Sequence, residues 1–337
     1  MNPRFGTCIA LLGVTLLAGC GGQPASAVAQ LPSIETSEHA VDAKANPQLY
    51  VTNNDGAVRI FSLSSDKGNV APTRTIAGGK TGIANPAGIA FAPDGQIAVA
   101  NVLSEGGAVH ALVFAPKASG DANPLRAISC GGTTVPLGVA YDTNGNLYVT
   151  NGKGGNDVVV FAPSDNGCVN GNRIIAGANT TLLDPYGVRV DAKGTIYVAN
   201  PGTGGIVEFA PGASGNATPA AVIAGDKTGL GAPSDLALDA ANELIVSDLR
   251  ADTIEVFAAG SNGNVVPLRT IAGSNTGLNG PNGLTLDAAG NIFVANLFAN
   301  SITEYAAGAN GNVTPLRTIA GPKTGLSGPY KLTIGPG

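Results

Sequence analysis

The chain has 337 residues, of which only 12% are charged and 49 are glycine, with no tryptophan and a formal net charge of −5. An acidic balance gives nucleic acid no electrostatic footprint, and 44% hydrophobic residues exclude a disordered polymer. Glycine without a G-X-Y period excludes collagen, and leaves short Val-, Ile-, Leu- and Ala-rich strands joined by tight turns.

Arg4 is the only charged side chain before position 35, and Phe5 to Leu17 is an apolar run. Thirteen helical residues span about 20 Å, too short for a bilayer core of about 30 Å. A basic start, a short apolar stretch and small residues at its end read as a secretory signal. The run closes in Leu17-Ala18-Gly19-Cys20, which resembles the lipobox of bacterial lipoproteins. That resemblance implies a signal peptide over 1–19, a lipid on Cys20 and an exported, lipid-anchored chain in the cell envelope. Gly21 in place of Asp resembles lipoproteins destined for the outer membrane, should the cell be Gram-negative. Residues 20–48, rich in Pro, Ser and Ala without periodicity, are expected to be a flexible tether.

From position 49 the chain repeats itself. A Tyr-Val-Thr/Ala-Asn phrase ends at Asn53, Asn101, Asn151, Asn200, Asp248 and Asn296, at intervals of 48 to 50 residues. A second phrase places an aromatic at Phe61, Phe114, Phe161, Phe209, Phe257 and Tyr305. A third ends at Gly78, Cys130, Gly177, Gly225, Gly273 and Gly321, and a fourth opens at Pro86, Pro136, Pro185, Pro233, Pro281 and Pro329. Four β-favouring runs per repeat predict a propeller blade. The first repeat lacks its inner strand and the chain ends on a surplus one. The sequence therefore predicts an all-β, six-bladed β-propeller over 49–337, four antiparallel strands per blade. Its last blade joins one C-terminal strand to three N-terminal ones, which leaves no unpaired inner edge. A closed ring of this kind is expected to be a monomer. Outer strands carrying Arg74, Arg126, Arg173, Arg269 and Arg317 read as edge protection, with an anion-binding rim as the functional alternative. The Asn/Asp ring that ends the second strands reads as turn maintenance.

Pieces such as Pro281 to Asn296 and Pro136 to Asn151, with Pro-x-Gly followed by Gly-Asn-(Leu/Ile)-(Tyr/Phe)-Val-(Ala/Thr)-Asn, resemble the NHL-repeat family of six-bladed propellers. The resemblance covers 49–337 and implies the fold; members of that family bind proteins or RNA, sense ligands, or catalyse.

Departures from the repeat are where function is sought. The residues after the six prolines form one mouth of the central channel: Ala87, Leu137, Tyr186, Ser234, Asn282 and Tyr330. The next positions are glycine except for Asp235 and Lys331. Arg189 stands where other blades place Ala or Thr, and needs an acid partner, either Asp191 or Asp235. Lys80, Lys227 and Lys323 on nearby turns would add positive charge. The candidate ligand-binding set is thus Tyr186, Arg189, Ser234, Asp235, Asn282, Tyr330 and Lys331. Their chemistry suits a binding or scaffolding module for an envelope protein or a small ligand. The alternative is a metal-dependent hydrolase similar to gluconolactonase. For it, Pro281-Asn282-Gly283 matches one ligand turn and Asp235 supplies a second oxygen, so Ca²⁺ is the one cofactor considered. A hard cation wants six to eight oxygens, and no matching Glu is found. Propellers of the virginiamycin-lyase type rely on histidine, and this chain has only His39 and His110. No Gly-x-Ser-x-Gly elbow is present either. Cys130 and Cys168 are expected to be free thiols, because the repeat alignment sets them on opposite faces.

Overall fold

The structure, a computed structural model, describes residues 46–102, 109–129 and 135–337, with Val109 and His110 described by their backbone alone. Six sheets follow one another in a ring, each built on four antiparallel strands that are consecutive in the chain except where the ring closes and where the short strand Gly167–Cys168 leaves its own blade to add in parallel to Arg126–Ser129. In the closing sheet the C-terminal strand Pro329–Gly335 pairs with Gln48–Asn53, which leads to Ala57–Ser62 and Arg74–Ile76. The expected clasp of one C-terminal and three N-terminal strands is therefore present. No α-helix occurs among the described residues, and none of their helical turns is long and apolar enough to cross a membrane.

Why the runs are so uniformly apolar follows from the packing. Leu244, Val246 and Phe257 pack towards the preceding blade, while Ile245, Ile254 and Val256 pack towards the following one. Successive side chains of a strand point to opposite faces, and in this ring both faces meet a neighbouring blade. Six apolar clusters result, one at each blade junction. The third-strand aromatics Phe61, Phe114, Phe161, Phe209, Phe257 and Tyr305 are all 0–1% exposed. They explain the second phrase as core rather than ligand chemistry.

The outer edges are covered. A strap between the third and fourth strands of each blade rises along the fourth strand of the blade before it. Parallel bridges join Ile76 to Gly120, Ile175 to Gly215, Ile223 to Gly263, Ile271 to Gly311 and Ile319 to Gly68. The sixth junction has a two-residue ladder, Gly167–Cys168 on Ile128–Ser129. The Arg belt is tied to these straps. Arg74, Arg126, Arg173 and Arg317 donate to the carbonyls of Ala118, Asp165, Ala213 and Leu63 in the next blade, and Arg269 pairs with Glu243 at 2.7 Å. The belt is a set of structural ties, and its role differs from the edge protection read from sequence because the edge is already paired.

Candidate functional site: the channel mouth

Each inner strand begins with the same irregularity. Proline has no N–H to give the ladder, and the register slips by one residue after it. Pro233 pairs with Asp248 but Asp235 with Ser247; Pro281 pairs with Asn296 but Gly283 with Ala295. Similar shifts follow Pro86, Pro136 and Pro329. A bulge of this kind re-aims one side chain, and the bulged positions include Leu137, Ser234 and Asn282. Tyr186 occupies the equivalent place ahead of Val188–Val190, with its N–H on Ala199 O at 2.8 Å.

The glycine after the bulge has a steric cause. A Cβ on Gly187 would lie 2.8 Å from Asp235 Cα, and one on Gly283 would lie 2.6 Å from Lys331 Cα. Neighbouring inner strands approach so closely that glycine must alternate with anything larger. Asp235 and Lys331 are the two larger residues, and each sits beside such a glycine.

Those two side chains meet across the axis together with Arg189. The Lys331 ammonium donates to Ser234 O and, at 2.9 Å, to Asn282 O, and stands 3.7 Å from Asp235 Oδ2. Arg189 stands 3.5 Å from Asp235 Oδ1 and donates to Val188 O and Leu284 O. Asp235 is therefore the acid partner of Arg189; Asp191 instead accepts the N–H groups of Lys193 and Thr195 in its own turn. Asp235 also accepts from the N–H groups of Leu236 and Leu284. Burial pulls the Lys331 ammonium down to about 8, with Asp235 opposing that shift and Arg189 adding to it. Two cations and one carboxylate make the channel centre electropositive.

Ser234, 1% exposed, has its hydroxyl among Ser247 Oγ and the carbonyls of Pro281 and Asn282. It ties strands together and has no base beside it. Asn282 is different: its side chain is wholly buried, yet neither Oδ1 nor Nδ2 meets a partner in good hydrogen-bond geometry, the Tyr330 hydroxyl making a loose approach to it. The hydroxyls of Tyr330 and Tyr186 lie close to each other and to this amide. Burial raises the pKa of Tyr330, and Tyr186 adds to the rise while Asn282 opposes it. All seven candidate residues thus gather around the axis, in two groups: the ion cluster Arg189, Asp235 and Lys331 with Ser234, and the uncharged group Tyr186, Asn282 and Tyr330.

The outlying candidates fall elsewhere. Lys80, Lys227 and Lys323 are exposed on turns whose N–H groups are clamped by Asp121, Asn264 and Asn69 of the next blade. They stand at the outer rim and add nothing to the mouth. The Asn/Asp ring maintains the fold, but through the loop that leads into its own blade: Asn101 accepts from Ala84 N, Asn200 from Leu183 N and Asp248 from Gly231 N. His39, Cys20 and Cys130 lie outside the described residues. The Asp235 carboxylate, the second oxygen considered for Ca²⁺, already faces two cations and two N–H donors. Among the described residues no group of three or more His, Cys, Asp or Glu side chains is placed to hold a metal. The residues present do not fit that ion.

Three features were missed in the sequence. Thr52, Thr150 and Ser247, in alternate blades, each bond the bulged carbonyl of the next blade: Ala87 O, Tyr186 O and Asn282 O. Thr or Ser against Ala at that position was the available signal. Glu255 is 1% exposed and accepts from Thr253 Oγ1, with Oε2 unpartnered. Its lone charge inside a Val-Phe phrase could have marked it. On the face opposite the mouth, a cleft lined by Tyr197, Glu208, Leu238 and Asn242 opens between two blades; burial raises the Glu208 carboxyl there, with Asp191 adding to it.

This architecture defines a six-bladed β-propeller. No family model and no curated protein matches the chain. Solved structures do. It is similar to the crystal structure of a nidogen/laminin complex, at 16% identity over 86% of this chain and 98% of that chain, with TM-score 0.61. A protein of unknown function from Bacteroides caccae matches at 13% identity over 86% and 99%, with TM-score 0.62. The streptogramin B lyase structure matches at 14% identity over 82% and 75%, with TM-score 0.51. At such identities the likeness establishes the fold, and the propeller expected from the NHL-like repeats is borne out.

Proposed function

We propose that the chain is a lipid-anchored cell-envelope propeller that binds a small polar ligand at the mouth formed by Tyr186, Asn282 and Tyr330. The observation that carries this reading is the Asn282 amide, wholly buried with neither polar atom in good hydrogen-bond geometry with the protein. Each such atom costs about 1–3 kcal/mol, and a ligand offering one donor and one acceptor recovers that cost. The tyrosines add aromatic faces and hydroxyls beside it, and the electropositive channel favours a ligand that also carries a carboxylate. A propeller fold shared with a structure of a protein complex is compatible with a binding role. The lipobox-like Leu17-Ala18-Gly19-Cys20 supports the anchor.

Thermal unfolding of the full chain against a panel of amides, amino acids and small carboxylates tests the site. A ligand at a hundred times its Kd should add about 2.7 kcal/mol, and Asn282→Ala should abolish that rise while leaving the unliganded protein at least as stable. An Asn282→Ala chain destabilised by more than about 1 kcal/mol, with no compound telling it from wild type, overturns the reading. For the anchor, Cys20→Ser should release the chain from the membrane fraction; retention there overturns it.

A further inference from the structure

The arginine belt has five members in six blades. Arg74, Arg126, Arg173, Arg269 and Arg317 each stand opposite a third-strand residue, respectively Ile60, Val113, Val160, Val256 and Glu304. In the blade built on Ile196–Asn200, Gly205–Phe209 and Ala221–Ala224, the same register sets Ala221 opposite Glu208. Alanine cannot reach across the sheet as arginine does elsewhere. A cleft lined by Tyr197, Glu208, Ala221 and Ser261 opens in that place.

What the arginines touch in the other blades defines what the cleft is shaped for. Arg74, Arg173 and Arg317 lie over the second-strand rings of Tyr50, Tyr148 and Phe293, 5.4–5.6 Å from the ring centroids. Tyr197 is the aromatic at that position here. Its three counterparts, covered by arginine, are 0–2% exposed, whereas Tyr197 is half-buried. Arg317 pairs with Glu304 at 2.7 Å, and Glu208 holds the place of Glu304. Arg74, Arg126 and Arg173 donate to the strap carbonyls of Ala118, Asp165 and Ala213, each four residues beyond a third-strand aromatic. Ser261 is that residue on the strap facing the cleft. Ring, carboxylate and strap are thus all retained, and the cation is missing.

No cation of the protein makes up the loss. Glu208 enters none of the salt bridges among the described residues. Arg189, the one cation in the cross-strand row of Tyr197 and Glu208, gives its guanidinium to Asp235. Burial raises the Glu208 carboxyl, with Asp191 adding to the rise, and the Tyr197 hydroxyl is pushed up to about 12 by burial, Glu208 and Asp191. Two acids beside a half-buried ring are relieved by an incoming cation. A guanidinium suits the place better than an ammonium, because its plane stacks on the ring while its edge forks to a carboxylate. Every belt cation is accordingly arginine and none is lysine. We infer that this cleft is a binding site for an alkylguanidinium, the group that arginine carries, which enters beside Ala221 and occupies the place the belt leaves open. The site lies on the face opposite the channel mouth and is independent of it.

The test titrates the full chain by calorimetry with n-butylguanidinium and with the peptide acetyl-Gly-Arg-Gly-amide, using acetyl-Gly-Lys-Gly-amide as the control. The expected result is one-site binding of a guanidinium probe with a Kd on the order of 1 mM or tighter, and binding of the lysine peptide weaker by about tenfold or more. Binding of butylguanidinium alone assigns the site to a free guanidine, and binding of the arginine peptide, with or without it, to an arginine of a partner chain. Ala221→Arg, which completes the belt, and Glu208→Gln, which keeps the shape and removes the charge, should each weaken binding by about tenfold or more. Asn282→Ala, at the mouth, should leave it unchanged. No saturation by about 10 mM with either guanidinium probe, equal binding of the lysine peptide, undiminished binding in the Glu208 or Ala221 variant, or loss of binding in Asn282→Ala overturns the inference.

Discussion

The outer rim and the channel of this propeller obey opposite rules. At the rim the contacts repeat from blade to blade: a buried Ile bridged to a strap glycine, an Arg on a strap carbonyl, an Asn or Asp on a turn N–H. Along the axis no two inner strands carry the same pair of bulged and following residues except for shared glycines. Every rim contact joins neighbours in identical relation, so the same residues solve it each time. At the axis all six blades converge, and a side chain can reach past its neighbour. Lys331 does so, bonding Ser234 O from two blades away. Identity is thus imposed where the geometry repeats and released where it does not.

The comparison breaks most readily at Lys331. Lys331→Ala removes two hydrogen bonds and leaves Asp235 facing Arg189 alone; the expected loss is about 3–5 kcal/mol in urea unfolding. A loss under about 1 kcal/mol would mean that the axis does not brace the ring. Glu255 sharpens the contrast within one blade. Burial raises its carboxyl to about 8 from an ordinary 4.5, against a smaller opposing effect of Thr253. The folded state therefore holds the proton more tightly. Its contribution is complete below about pH 4.5 and is lost as pH rises towards 8, a change of a few kcal/mol. Glu255→Gln should flatten that part of the stability–pH curve, and an unchanged slope would count against the buried acid.

Glycines give the next test. Gly283→Ala puts a Cβ 2.6 Å from Lys331 Cα and should cost roughly 1–3 kcal/mol by overpacking. At the rim, Gly263→Ala meets nothing within 4 Å but sits at φ 81°, so only conformational strain of about 1 kcal/mol is expected. Equal costs would erase the steric distinction. Smallest of all, Asn312→Ala removes one clamp oxygen from Asn275 N and should cost about 1 kcal/mol, measured against the same change at Asn216.

Architecture was legible because the repeat states it six times, and the offset between the first and last phrases already encoded the clasp. The charged members of the site were legible as exceptions: Asp235 and Lys331 interrupt a column of glycines, and Arg189 a column of Ala and Thr. What could not be read was which exceptions touch. The reach of Lys331 to Ser234 depends on the width of the closed ring, and the path of the straps depends on loops whose sequence carries no period of its own. The Arg belt was misjudged for that reason.

The clasp gives the molecule a property beyond its contacts. Gln48–Asn53 is paired on both sides, by Pro329–Gly335 and by Ala57–Ser62, so neither end of the ring is a loose strand. Peeling the fold from a terminus means unzipping an interior seam and breaching the circle at once. Partial opening from the ends is therefore suppressed, and degradation by exopeptidases past residue 48 must await rupture of the whole ring.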